Sequence, residues 1–200
     1  MDSITQAAKL KVMLVDDDPE RVRTLQLALA RAGCEVVAHM ESAIDLHRRV
    51  SEIKPDVIII DTDSPDRDTL ENLCVISRDQ PRPVVMFARD DDSGKIREAV
   101  RAGVSAYVVD GLAIERVMPI IDVAIARFEQ FQALRRELRE SEDKLAERKV
   151  VERAKGILMK GRNLSEDEAY CALRQQAMEN NARLGDVARQ VIALAGLLSA

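Results

Sequence analysis

"VIIIDTDSPDRD", residues 57–68, places four consecutive β-branched side chains directly before four aspartates spread over eight positions. A short apolar run with no polar alternate predicts a strand covered on both faces. Asp61 stands where that strand stops. A carboxylate aimed out of the end of a buried strand loses hydration, and acidic neighbours repel its charge. Either Asp61 does chemistry, or it is the remnant of a site that once did.

The flanking sequence repeats the same alternation. "KVMLV" (11–15) is a strand, followed by "DDDPE", in which Asp18 caps a helix and Pro19 suits its first turn. Val22, Leu25, Leu29 and Ala32 share one face of that helix, and Gly33 stops it. "EVVAH" (35–39) is a second strand, after which Ser42 is expected to cap a helix whose inner side carries Ala43, Leu46, Val50 and Ile53. "DVIII" (56–60) is the third strand, with a helix through Leu70, Leu73 and Ile76. "PVVMFA" (83–88) is the fourth, with a helix through Ile96, Ala99 and Val100 that ends at Gly103, and "AYVV" (106–109) is the fifth. Strand–helix alternation with short connections predicts an α/β fold, a five-stranded parallel, doubly wound (flavodoxin-like) sheet over residues 1–125. Ligands of such sheets bind at the carboxyl ends of the strands, which brings Asp16, Asp17 and Asp61 together.

Composition narrows the function. Apolar residues make up 46% and charged residues 32%, as in a globular chain, and aromatics at 2% with no Trp disfavour stacking-based single-strand binding. Cys34, Cys74 and Cys171 form no metal-binding spacing and suit small buried positions in a reducing cytoplasm. No signal peptide is evident, and the apolar run "VIALAGLL" (191–198) is far shorter than a membrane span. Residues 1–143 carry 20 basic against 28 acidic side chains, whereas residues 144–200 carry 10 against 7. A basic tail on an acidic body points to an anionic partner for the tail.

Beyond about Leu112 little interrupts a helix until Gly156 and Gly161. Leu134, Leu138, Ser141 and Leu145 follow 4-3-4 spacing among dense Arg and Glu, a narrow seam fit for pairing with another helix (126–143). The tail (144–200) reads as three helices. "VVERAKGILMK" (150–160) is the first, and "LSEDEA" (164–169) is a capping box that starts the second. "NNARLGD" (180–186) turns the chain into the third.

"VDDD" (15–18) after strand one and "DVIIIDTDSP" (56–65), with Pro65 four residues past Asp61, together resemble a response-regulator receiver domain. The resemblance makes Asp61 the phosphoacceptor position. It also implies Asp17 and Asp61 as Mg²⁺ ligands, with the Asp63 carbonyl a third. Two positions depart from it. Receivers carry Ser or Thr at the end of strand four, where this chain has Ala88, and Lys at the end of strand five, where it has Asp110. Losing a hydroxyl donor and replacing a cation by an anion both oppose phosphate capture. Little or no phosphotransfer is therefore expected, and the acidic pocket of Asp16, Asp17 and Asp110 becomes a docking face that requires no cofactor. "VIIIDTD" also resembles the nucleophile motif of haloacid-dehalogenase-type phosphatases, but that motif belongs on a first strand and here lies on the third.

In the tail, Lys149, Arg153, Lys155, Lys160 and Arg183 supply positive charge. The pattern "AKGILM…GRNLSEDEAYCALRQQAMENNARLGDVARQVI" (154–192) resembles the ANTAR domain, a three-helix RNA-binding module of antiterminators. Altered receiver, long helix and ANTAR tail together resemble the NasT-like regulators of nitrate/nitrite assimilation operons. That resemblance implies binding to paired leader-RNA stem-loops, with Lys149, Arg153, Lys155, Lys160 and Arg183 as the expected RNA contacts, an indirect effect on RNA polymerase and a homodimer in the active form. It also implies control by a nitrate-sensing, NasS-like partner rather than enzymatic activity. One alternative within the resemblance is a phosphorylation-controlled antiterminator of another operon, such as amide or ethanolamine use. A DNA-binding response regulator is a rival of a different class, against which stands the placing of basic residues on the first tail helix.

Overall fold

The computed structural model describes residues 9–109 and 114–198. The sheet contains β1 (Lys11–Val15), β2 (Glu35–Met40), β3 (Val57–Thr62), β4 (Val84–Ala88) and β5 (Ala106–Val109), all parallel, in the order β2-β1-β3-β4-β5. The helices between them are α1 (Pro19–Arg31), α2 (Leu46–Ile53), α3 (Arg67–Asp79) and α4 (Ser93–Ala102). α5 (Val117–Arg162) follows a 3-10 turn and is succeeded by α6 (Glu166–Glu179) and α7 (Leu184–Leu198). This is the expected α/β architecture. Contacts divide the chain into two compact units, Met1–Gln132 and Ala133–Ala200.

Why β3 is apolar throughout is visible in its partners. Ile58 and Ile60 pack into a core built with Leu46, Val50, Leu73, Ile76 and Ala99, from α2, α3 and α4. Val57 and Ile59 point the other way, into a core with Leu25, Leu29, Val117, Ile121 and Ala124, from α1 and the first turns of α5. Successive side chains of a strand alternate between faces, so two covered faces require an unbroken apolar run. Each fully buried aliphatic side chain contributes roughly 1.5–3 kcal/mol. β3 therefore anchors both layers.

Two local expectations change. Ser42 does not cap a helix. Its Oγ accepts a 3.4 Å hydrogen bond from the Ile44 backbone N–H, and α2 begins only at Leu46, after Asp45 in the left-handed region at φ 59°. Ala43 is buried as expected, but from that turn. On α4 the inner side is Ala99 and Ala102, while Val100 is half exposed.

In the second unit, Val151, Ala154, Leu173, Ala177, Val187 and Ala188 form a small core between the end of α5, α6 and α7. Three of the six are alanines, which lets helix axes approach closely. The expected capping box is present. The Ser165 backbone N–H donates to Glu168 Oε2 at 2.8 Å, and the Glu168 N–H donates to Ser165 Oγ at 3.3 Å. Among the described residues no helix is long and apolar enough to cross a membrane.

Candidate functional site

The carboxyl ends of β1 and β3 place Asp16 and Asp61 side by side. Asp16 is 3% exposed, and the Asp61 side chain is 9% exposed. Asp17 points outward, with 81% of its side chain accessible. Asp110 lies outside the described residues. Asp61 is paired in register with Phe87 and Thr62 with Ala88, so the end of β4 presents a buried methyl group where a phosphoryl oxygen would need a donor.

Between the carboxylates lies Arg21, from the first turn of α1. Its Nη2 donates to Asp16 Oδ1 at 2.8 Å and its Nε to Asp16 Oδ2 at 3.3 Å, a forked pair. The same guanidinium reaches Asp17 Oδ1 at 3.3 Å and Asp61 Oδ2 at 3.5 Å. Its pKa is raised well above the usual arginine value, chiefly through the Asp16 hydrogen bond. Asp61 is nonetheless pushed up to about 6. Burial is the main cause, Arg21 opposes it, and Asp16 adds to it. With Asp18 Oδ2 also 3.8 Å away, one guanidinium faces four carboxylates, which leaves the cluster under-neutralised.

Arg21 was missed from the sequence. Two clues were present: it lies four residues after Asp17, and it precedes Val22, which starts the buried side of α1. Side chains at a helix N-terminus lean back toward the preceding strand end, where the acids lie.

A second polar cluster links the loops beside the acceptor position. Lys95 Nζ meets Asp90 Oδ2 at 2.6 Å and Ser64 Oγ at 2.8 Å, and Ser64 Oγ donates to Asp90 Oδ2 at 2.8 Å. These bonds hold the Asp90 carboxyl down to about 2, the Lys95 hydrogen bond leading. The Tyr107 hydroxyl donates to the Asp90 carbonyl at 2.9 Å. The "RDDDS" loop is thereby tied to β3 and β5 by the protein's own side chains.

In the tail, Lys149, Arg153, Lys160 and Arg183 are exposed. Lys155 differs. It is buried, and its ammonium lies 2.8 Å from Glu152 and 2.6 Å from Glu166, so it clasps the start of α6 onto α5.

The response-regulator receiver domain family matches residues 12–122. The chain belongs to that family. Behind the receiver, the ANTAR domain family matches residues 139–192. A Mycobacterium tuberculosis relative, transcriptional regulatory protein PdtaR, is 27% identical over 95% of this chain and 93% of its own length. A Klebsiella oxytoca nitrate regulatory protein is 31% identical over 44% of this chain and 22% of its own. A solved LuxR-family two-component response regulator from Aurantimonas aligns with a TM-score of 0.52 and 27% identity, over 60% of this chain and 86% of its own. This protein is thus a response regulator in which a receiver precedes an ANTAR domain. Its receiver carries Asp61 near the end of β3, ends β4 in Ala88 and holds Arg21 among its acids.

Proposed function

We propose that this protein is a transcription antitermination regulator whose tail binds paired stem-loops in leader RNA, with nitrate/nitrite assimilation operons as its targets. The observation that carries the reading is the ANTAR match over residues 139–192, coincident with an exposed set of cations at Lys149, Arg153, Lys160 and Arg183. Phosphates attract such side chains, and hairpin loops display unstacked bases whose edges a protein can read. Lys155 serves as the clasp that positions this surface rather than as a contact. Nitrate control is supported by the partial likeness to the Klebsiella nitrate regulatory protein.

The receiver acts as a protein-docking domain, held by a nitrate-binding sensor partner until the inducer is present. Exposed Leu134, Leu138 and Leu145 on α5 support pairing with a second copy, and two linked tails gain effective concentration on a tandem RNA site. No enzymatic step and no cofactor enter this scheme. A second reading, antitermination at another operon, draws on the whole-length likeness to PdtaR, whose name carries no nitrate reference.

The test is binding of the full chain to nitrate-operon leader RNA, to an unrelated leader with paired hairpins and to the matching duplex DNA, across a salt series. Preference for the nitrate leader is expected. Equal binding to the unrelated leader would favour the second reading, and preference for duplex DNA would overturn the RNA reading.

A further inference from the structure

Receivers imply a divalent cation at the acidic pocket, and three ligands were expected here: the carboxylates of Asp17 and Asp61 and the carbonyl of Asp63. Each already faces another group of the fold. The Asp17 side chain is turned to solvent, with its Oδ1 facing Arg21 at 3.3 Å. Asp61 faces the same guanidinium at 3.5 Å. The Asp63 carbonyl accepts hydrogen bonds from the backbone N–H groups of both Arg89 and Asp90, at 3.1 and 3.2 Å, which occupies its two lone pairs. Among the described residues no three acidic, histidine or cysteine side chains converge as metal ligands. Mg²⁺ needs oxygens at about 2.0–2.1 Å in near-octahedral array. An ion that close to both Asp16 and Asp61 would lie against the guanidinium, cation to cation.

We infer that Arg21 is a tethered counter-cation that takes the place of the metal, so that the receiver holds its acceptor-side architecture without Mg²⁺. The inference rests on the receiver assignment and is independent of the RNA reading. A guanidinium suits the role because its fork matches a carboxylate and it stays charged at every physiological pH. It cannot supply a metal's second charge or its open coordination positions. It joins α1 to the ends of β1 and β3, with its Nε and Nη2 donors engaged by Asp16 and Asp17. Ala88 removes a further donor from the same place. Ser64, Asp90 and Lys95 cross-link the loops beside this pocket directly. Charge and packing at the pocket thus both favour the arginine over a divalent cation.

The experiment measures thermal unfolding of the full chain, with EDTA or with millimolar MgCl₂, alongside a calorimetric Mg²⁺ titration. Wild type is expected to show no Mg²⁺ shift and no binding heat. Arg21→Gln is expected to unfold earlier in EDTA and to rise by roughly 5 °C with Mg²⁺ at about ten times its Kd. That rise should disappear in the Arg21→Gln, Asp61→Asn double variant. Arg21→Lys, which keeps a cation, should stay indifferent to Mg²⁺, and it decides the matter with the wild-type titration should Arg21→Gln fail to fold. Saturable Mg²⁺ binding to wild type that Asp61→Asn abolishes would overturn the inference, as would a folded Arg21→Gln that ignores Mg²⁺. RNA affinity measured in EDTA separates these outcomes from failure of the functional reading.

Discussion

At the scale of single residues, the acidic pocket makes a signed pH prediction. Asp61 titrates near 6 in the fold against an ordinary value of 3.8, so its protonated form favours the folded state. Its contribution to stability is fully present below about pH 4 and is lost as pH rises through 6. Asp61→Asn removes the buried charge while Arg21 keeps Asp16 as a partner. The variant should be more stable than wild type above pH 7, by roughly 1–3 kcal/mol, and the gain should vanish toward pH 4. Urea unfolding at several pH values checks both the sign and the window. Lys155 gives a contrasting case. Lys155→Ala should lower thermal stability and leave the salt slope of RNA binding unchanged, because its ammonium is spent on Glu152 and Glu166. Alanine at Lys149, Arg153, Lys160 or Arg183 should instead flatten that slope, by about 0.7–0.9 per lost phosphate contact. Charge at these five positions is legible in the sequence. Which of them meets solvent is not, since only about half a turn of helical phase separates clasped Lys155 from exposed Arg153.

At the scale of elements, apolar patterning located the strands and helices of the described receiver, because a helix buried on one face takes a 3.6-residue period and a strand buried on both faces takes an unbroken apolar run. It failed where a cap decided the start. Ser42 has the right residue type, yet the chain passes through left-handed Asp45 before α2 begins. The Ser165 box was legible because both partners of its reciprocal bonds are local. Ser165→Ala should cost the tail about 1 kcal/mol, read from the loss of helical signal in urea. Gly156 behaves oppositely. It lies inside α5, and a Cβ built on it would meet nothing within 4 Å. Gly156→Ala should therefore stabilise the helix by about 0.5–1 kcal/mol in free protein, a gain visible as a higher Tm.

At the scale of the whole molecule, the chain joins an acidic receiver to a basic tail, and the proposed function routes regulation through association rather than phosphotransfer. Placing a charge in the α5 seam tests the assembly: Leu138→Glu should reduce the sedimenting species to a monomer and weaken binding to a tandem-hairpin RNA more than to a single hairpin. Incubation with a small-molecule phosphodonor should leave Asp61 unmodified by mass spectrometry. The division into an α/β receiver and a helical tail was legible in the sequence, because strand–helix alternation, charge asymmetry and capping are local or periodic properties. The acidic strand ends were legible for the same reason. Only the tertiary structure decided that Arg21 fills the pocket those ends create, that the Asp63 carbonyl is already taken and that Lys155 is clasped. Each depends on where a long or flexible group lands after separate elements pack, and no spacing along one chain segment specifies that.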